Sequence, residues 1–561
     1  MKVYNKRHNP KFVLTVLALC ATTLIVGCSK KDEPKDLFGD GTKLIVNVMG
    51  ITDLTEVEAS KLKASAADMP TIKGGEIMPK EMINFEAFDA QVSLTKDELK
   101  KRPVSIGESV TSNLGSGQLM AAAMESGVTY RLVIYDASDN TVVSSTELVS
   151  GTPGEVNIKK GGTYNWYAVS YNNTESIPHP DETNPVINVP EGSDLLYASG
   201  DITVDINAPD GNVPLGIVFA HKFSRIGLEL NTMGMFADMN SVGVVVNGAT
   251  GTAGTFDLLG NSFTSSSSDP ITVDFSNFEN VDPLYGDRKI AYIYSSVETS
   301  TNLSVSINAL DIQLDNGANR VFTNLAASPV NFNFTLTPQL GATYTARMNF
   351  VESPLTLDGV QWARQNLYYV GGHNPYRFHH TYAHTQQRNS YFSFRGMVPQ
   401  NFGSDSNDGD PCALVYPEGV WRQAGRADFQ SLTGNGAILF PTPGQPATYG
   451  TEGGLGYLEY QGSTGVGAPY PSNNLRFNMN GGGLSLGLVD GLVQIDLFSY
   501  GNEALVWSHD PAVDLGIAWI GAYAYEGLQS DQTTVIDAVQ VGLLGIGVVE
   551  SSFKNVRCVR N

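Results

Sequence analysis

Short runs of alternating or continuous apolar residues, bounded by Gly, Asn and Asp, recur along this chain and predict strands joined by turns. Lys43-Leu-Ile-Val-Asn-Val-Met49 alternates in part and carries β-branched side chains, so it predicts a strand near the start. Val128-Thr-Tyr-Arg-Leu-Val-Ile-Tyr135 is a second, turned by Asp136-Ala-Ser-Asp-Asn140 into Thr141-Val-Val. Gly161-Gly162 turns into Thr163-Tyr-Asn-Trp-Tyr-Ala-Val-Ser-Tyr171, and further strands are predicted at Leu215–Phe219, Ile226–Leu230 and Val242–Val246. Between the first two strands lies a polar, Ala- and Lys-rich stretch reaching to about Gly127. It holds Lys100-Lys101-Arg102-Pro103, a basic cluster in weakly patterned chain. That cluster reads as an exposed protease site or, equally, as a solvated loop. From about Phe350 aromatics, His and Trp become denser and Gly-rich turns separate irregular pieces.

The first residues form a separate unit. Lys2, Lys6, Arg7 and Lys11 precede an uncharged run from Phe12 to Val26, the layout of a secretory signal rather than of a folded element. A spanning helix needs about 20 apolar residues. This run is shorter and closes in Ile25-Val26-Gly27-Cys28, which resembles a bacterial lipobox. The resemblance implies removal of residues 1–27, lipid on Cys28 and an outer-membrane lipoprotein precursor; an ordinary cleaved signal is the alternative. Ser29-Lys-Lys-Asp-Glu-Pro34 has no apolar periodicity and reads as part of a tether over 28–40.

Composition narrows the function classes. At 561 residues, with 42% hydrophobic positions, the chain supports about two to four cores. Its 58 Gly and 27 Pro suit short strands and turns, so a mainly β architecture is expected. A net charge of −22 repels phosphate backbones and anionic lipid, which removes nucleic acid from the partners. Of four cysteines, Cys20 leaves with the leader and Cys28 carries lipid. Cys412 and Cys558 then remain in an oxidising compartment and are expected to pair, with two buried free thiols as the alternative.

Four blocks now combine. Tyr130–Tyr135, Gly162–Asn172, Asp194-Leu-Leu-Tyr197 and Phe219-Ala-His-Lys-Phe-Ser-Arg-Ile226, in that order, resemble the fimbrillin family of Bacteroidales pilus subunits over roughly residues 40–345. The resemblance implies two successive β-sandwiches, over 41–212 and 213–347. It also implies a lipoprotein whose first strand, here Lys43–Met49, is removed by an Arg- or Lys-specific protease. A neighbour's strand would then enter the vacated groove by edge addition. The segment up to about 126 would be protease-sensitive, with Lys100, Lys101 or Arg102 as the cleavage residue; the proline after Arg102 disfavours that bond.

Farther on, Gln361-Trp-Ala-Arg-Gln-Asn-Leu367, Asp410-Pro-Cys412, Gly419-Val-Trp-Arg-Gln423, Val506-Trp-Ser508 and Val556-Arg-Cys-Val-Arg560 resemble a C-terminal domain of Bacteroidetes and Fibrobacter surface proteins. That family implies an α+β, C-type-lectin-like fold over 348–561, with a short helix after the Trp-Arg block, here Arg426–Leu432. Gln423-Ala-Gly425 departs from the family's Leu-Pro-Thr turn. The formylglycine-generating relatives need two reactive cysteines, and the two available are expected in a disulfide, so no enzyme is expected. The Glu-Pro-Asn, Gln-Pro-Asp and Trp-Asn-Asp runs of calcium-dependent lectins are missing from the sequence. Asp405-Ser-Asn-Asp-Gly-Asp410 breaks the spacing of a calcium loop and reads as a solvated acidic turn or a calcium site.

Four of the eight histidines, His373, His379, His380 and His384, cluster, and imidazoles so placed are candidate zinc or copper ligands or the lining of a pocket. Tyr368, Tyr369, Tyr376, Phe378 and Tyr382 are candidate ligand-binding aromatics, since rings stack on sugars and anchor protein contacts. No cofactor is implied. The combined expectation is a minor tip subunit of a pilus that accepts a donor strand and carries a lectin-like head. Its expected partners are other pilus subunits, a host or microbial surface ligand and, through lipid, the outer membrane. A tip position follows from Cys558, which ties the last strand and keeps it from being lent to a neighbour. The rival is a monomeric surface lipoprotein that binds glycans or host protein without polymerising.

Overall fold

A computed structural model describes residues 42–52, 75–97, 103–104, 119–120, 123–206, 211–248, 253–266, 270–296, 298–401, 408–437, 439–470, 473–489, 492–514, 519–538 and 552–561. The leader, Cys28, the tether, Lys100, Lys101, Arg102 and the first part of the acidic run at 405–410 lie outside the described residues. The fold is mainly β, with sandwich-like domains, as the alternation predicts.

The leading part of the chain supplies β1 (Thr42–Thr52), β2 (Gly75–Asn84) and β3 (Asp89–Lys96). Next come β4 (Thr129–Asp136), β5 (Val142–Val149), β6 (Gly154–Ile158), β7 (Thr163–Ser170), β8 (Leu196–Thr203) and β9 (Asn212–His221). These build the first sheet in the order β5-β4-β7-β8-β9-β1-β6. The apolar run of β4 sends Leu132 and Ile134 to one face and Val133 and Tyr135 to the other. Both faces are covered, which is why the run reads as continuous rather than alternating. One cover is a small sheet made of Val186–Val189, Gly254–Asp257 and Ser262–Ser265.

Then follow β10 (Ser224–Gly234), β11 (Ala237–Asn247), β12 (Arg288–Ser295), β13 (Thr301–Leu314), β14 (Val330–Leu336) and β15 (Thr343–Val351). One sheet runs β12-β10-β15-β3-β2, and the other carries β11 and β13, with β14 paired to β13. Their inner faces meet in one core. Phe88, Val92 and Leu94 from the leading segment pack with Leu228, Val305, Phe332 and Phe334, and all are essentially without solvent contact.

This topology corrects the expected division at 212/213. β2 and β3, inside 41–212, belong to the second sandwich, where β3 pairs antiparallel with β15 from Asp89↔Val351 to Lys96↔Tyr344. β9, which contains Leu215–Phe219, belongs to the first sheet, where it pairs with β1. The sandwiches are interleaved along the chain. The cause is long-range pairing: the polar, exposed face of β2 hides its strand character, and nothing local in β3 names a partner some 250 positions away.

The remaining chain begins with β16 (Leu355–Leu357) and β17 (Val360–Trp362), continues with β18 (Trp421–Gln423) and helix α1 (Arg426–Thr433), and includes β19 (Leu455–Tyr460), β20 (Leu475–Asn478) and β21 (Cys558–Arg560). The helix expected at 426–432 is α1. Its Asp428 accepts from the Gly425 amide at 2.7 Å and pairs with Arg422, satisfying an N-terminal donor that a turn of this composition leaves open. β21 lies between β18 and β17, and Trp362, Phe429, Phe477 and Tyr525 fill the core beside it. Cys412 and Cys558 form a disulfide across 146 positions, with Cα atoms 5.7 Å apart. For a loop of that length the chain-entropy model gives at most about 5 kcal/mol. Replacing both cysteines by Ala should therefore lower the stability of the C-terminal transition by roughly 2–5 kcal/mol. Denaturant midpoints of the two proteins measure this, and unchanged midpoints would show that the bond is thermodynamically idle.

Candidate functional site

The second sandwich and the C-terminal domain meet in a polar joint that the sequence does not announce. Arg560 of β21 lies flat on Trp421, 4.0 Å from the ring centre, and donates to Asp89 Oδ2 and to the Glu352 carbonyl, both at 2.8 Å. Asp89 is the first residue of β3, so the contact ties the leading segment to the last strand. Burial pulls the Arg560 guanidinium down to about 10 and pushes Asp89 up against the pull of Arg560, so each charge depends on the other. Beside them Tyr470 is sandwiched between Arg320 and Arg364, 4.5 and 4.3 Å from its centre. Arg320 donates to Glu352 at 2.9 Å, and Arg364 donates to the carbonyls of Ser353 and Val466.

A cavity of about 380 Å³ opens at this joint, between the β2–β3 turn at Asn84–Glu86, Ser353–Pro354 and the Gly465–Gly467 loop. On the far side of the joint the Tyr416 hydroxyl donates to Asn349 and accepts from Asn231, both at 2.8 Å. Burial raises that phenol to about 12. Gly234 permits the approach: a Cβ there would stand 2.6 Å from the Phe350 carbonyl oxygen and 3.0 Å from that of Tyr416.

Two of the clustered histidines, His373 and His380, serve the same joint. His373 Nε2 lies 2.7 Å from Asp287 Oδ2, and its ring stacks on Tyr285 at 3.7 Å; both partners belong to the second sandwich. His380 stands 2.9 Å from Asp315, which also faces Arg377. His379 Nε2 meets Ser390 Oγ at 3.0 Å and stacks on Tyr368, while His384 Nε2 lies 2.6 Å from the Gly456 carbonyl. The four imidazoles thus diverge to four different partners. Among the described residues no three His, Cys, Asp or Glu side chains converge on a metal-sized site. The Ser390–His379 contact has the form of a nucleophile and base, but Ser390 has no exposed surface for a substrate to reach.

Of the candidate aromatics, Tyr368, Tyr376 and Phe378 are buried, and Phe378 sets its edge against Trp421 and Phe236. Tyr376 and Phe378 belong to a core shared with Phe236 and Val351 of the second sandwich, while Tyr368 stacks on His379. Tyr369 is half-buried against Tyr376. Tyr382 is half-buried and takes part in a stack: Arg476 lies 4.7 Å over its ring and 3.7 Å over that of Tyr457, held by Glu459 at 2.8 Å and Glu452 at 2.6 Å. The Tyr382 hydroxyl donates to the Asn474 carbonyl. Arg476, Tyr457 and the two glutamates were not singled out from sequence; their one local signal is the cross-strand pair Glu459↔Arg476.

The other distinctive feature is β1. It is the strand nearest the start among the described residues, and it is inserted between two others, parallel to β9 from Lys43↔Asn212 to Thr52↔Ala220 and antiparallel to β6. Leu44 and Val46 are fully buried in the first core, and Lys43 pairs with Glu155 at 2.6 Å.

His379 yields a pH dependence. Burial holds its imidazole at about 4, below an ordinary value of 6.5, so the folded protein favours the neutral ring. A depressed value contributes stability that is complete above pH 6.5 and lost as pH falls towards 4. His379→Gln should flatten the fall in Tm between pH 6.5 and 4 relative to the parent by an amount equivalent to roughly 2 kcal/mol. Parallel melting curves across that range decide it; superimposable pH profiles would rule the effect out.

No family model matches the chain, and no curated protein matches it. Among solved structures, a Bacteroides fragilis protein described as a candidate cell adhesion protein aligns at 15% identity over 46% of this chain and 95% of its own, with a TM-score of 0.28. A Bacteroides ovatus protein described in the same terms aligns at 13% identity over 44% and 92%, with a TM-score of 0.26. The fimbrial anchor protein Mfa2 of Porphyromonas gingivalis aligns at 11% identity over 39% and 77%, with a TM-score of 0.21. At such values these likenesses decide nothing about what the chain does.

Proposed function

We propose that this chain is a structural and adhesive subunit of a cell-surface pilus, exported as a lipoprotein on Cys28, that accepts a neighbour's strand in place of β1 and carries its C-terminal domain as a lectin-like binding head. The observation that supports this most is the setting of β1. A strand close to the chain's start fills a slot between β9 and β6 and seals the first core with Leu44 and Val46. Its withdrawal would leave two rows of unpaired backbone groups and an apolar trough, which is the surface a donated strand satisfies. Each buried Leu or Val is worth roughly 1.5–3 kcal/mol, so an incoming strand of similar pattern is driven in by the same term that holds β1. The disulfide at Cys558 and the clamp at Arg560 hold β21 inside its own domain, which suits an accepting, tip-located subunit rather than one that lends that strand.

A second reading is favoured by the same joint: a monomeric surface lipoprotein whose leading segment never leaves, binding a glycan or a host protein. Treating the purified protein with an Arg/Lys-specific protease separates the two. The pilus reading expects cleavage at Lys100, Lys101 or Arg102 followed by capture of a labelled apolar strand peptide. Val46→Asp, which puts a charge in the first core, should speed that capture at least about tenfold. A resistant chain that captures nothing, even as the Val46→Asp variant, would leave the monomeric reading standing.

A further inference from the structure

The leading segment serves two sandwiches, and they hold it very differently. β1 lies between β9 and β6, buries Leu44 and Val46, packs Val48 and Ile51 in part on the same core, and makes one exposed ion pair, Lys43–Glu155. β3 pairs with β15 of the body on one side and with β2 of its own segment on the other, so what sets it apart is its side chains. It inserts Ala90, Val92 and Leu94 into the second core, just after Ala87 and Phe88, which join them there. Asp89 then locks its first residue to Arg560, and Ser353 Oγ lies 3.4 Å from the same carboxylate. Arg560 is itself immobilised by stacking on Trp421 and by Cys558 two positions before it. An Arg560 stripped of Asp89 would be a cation in a site with almost no solvent contact, which is a strongly unfavourable state.

We infer that cleavage near Arg102 opens only the first sandwich: β1 becomes exchangeable, while β2–β3 is retained by the C-terminal domain. The exchange surface of this chain is then a slot bounded by β9 and β6 alone. Its occupant is an extended segment of a neighbouring subunit running parallel to β9, without proline. That segment is apolar at the alternate positions where Leu44 and Val46 sit and basic at the position of Lys43, where Glu155 waits. The slot half of this inference rests on the strand-accepting function proposed above; the retention half does not.

The test uses the full chain carrying two inserted site-specific protease sequences, one after Ser60 and one after Arg102, so that both cuts occur. The probe is a labelled synthetic peptide with the sequence of residues 42–52. After cutting, native size-exclusion chromatography with mass spectrometry should find the 61–102 piece still bound to the body, with β1 replaced by the probe. Asp89→Asn, which keeps the shape and removes the charge, should make the 61–102 piece leave at least about tenfold faster. Arg560→Lys, which keeps the charge without the planar fork, should retain it to an intermediate degree. If the 61–102 piece leaves the parent protein as fast as it leaves the Asp89→Asn protein, the retention inference is overturned, whatever the probe does. If the piece stays but no probe enters, retention holds and the strand-accepting reading, with the partner it implies, is overturned.

Discussion

The pairing of Arg560 with Asp89 is the constraint on which the arrangement of this molecule turns. Two charges separated by 471 positions meet where both side chains are nearly buried, with Glu352 and Arg364 as further charges acting on the pair. Such a pair adds little net stability compared with apolar packing, but breaking it is costly, so it selects one arrangement over near alternatives. What it selects is the seating of β3 in the second sandwich with β21 across it. The Arg320–Tyr470–Arg364 sandwich, the Tyr416 hydroxyl and the His373–Asp287 contact extend the same principle around the joint. Arg320 with Tyr470, Tyr416 with Asn231 and His373 with Asp287 each join a group of one domain to a group of the other. A hinge at this position would orphan several at once.

Inside the C-terminal domain the equivalent role falls to Arg557, one position before Cys558. It is buried without a carboxylate and is satisfied by neutral oxygens: Asn366 Oδ1 and the carbonyls of Ala363, Arg364 and Arg476, at 2.8 to 3.1 Å. Burial draws it down to about 9, still charged at neutral pH. Phe477 lies under the guanidinium at 4.4 Å. Arg557, Cys558 and Arg560, close together in the chain, therefore bind the opening of the domain, the disulfide and the leading segment. A short stretch of chain determines how the pieces before it are assembled.

Much of this was legible from the residues, and the part that was not has a physical cause. The strands at 128–135 and 163–171 follow from β-branched and aromatic runs closed by turn residues, and the helix and disulfide follow from local and compartmental logic. The strand at 89–96 was hidden because its neighbours are polar on the outer face and because its partner, β15, is remote. The divergence of the histidines has a related reason. Imidazoles close in sequence suggest a shared ligand, yet a loop that wraps across a domain boundary sends successive side chains to different surfaces, and Asp287 and Asp315 are far from them in sequence. For the tyrosines, composition cannot distinguish a ring that faces solvent from one that faces another domain.

Interleaving has a consequence for how such a chain is made. β3 cannot complete its sheet until β15 exists, and Asp89 cannot meet Arg560 until the far end of the C-terminal domain exists, so an early strand waits for partners made much later. High sequence separation between contacting strands slows folding and prolongs exposure of apolar edges. In a chain made from its first residue onward, Phe88, Val92 and Leu94 stay uncovered until the strands up to β15 have been made. The fold is thus suited to delayed completion, in which premature closure is prevented by the order of arrival itself.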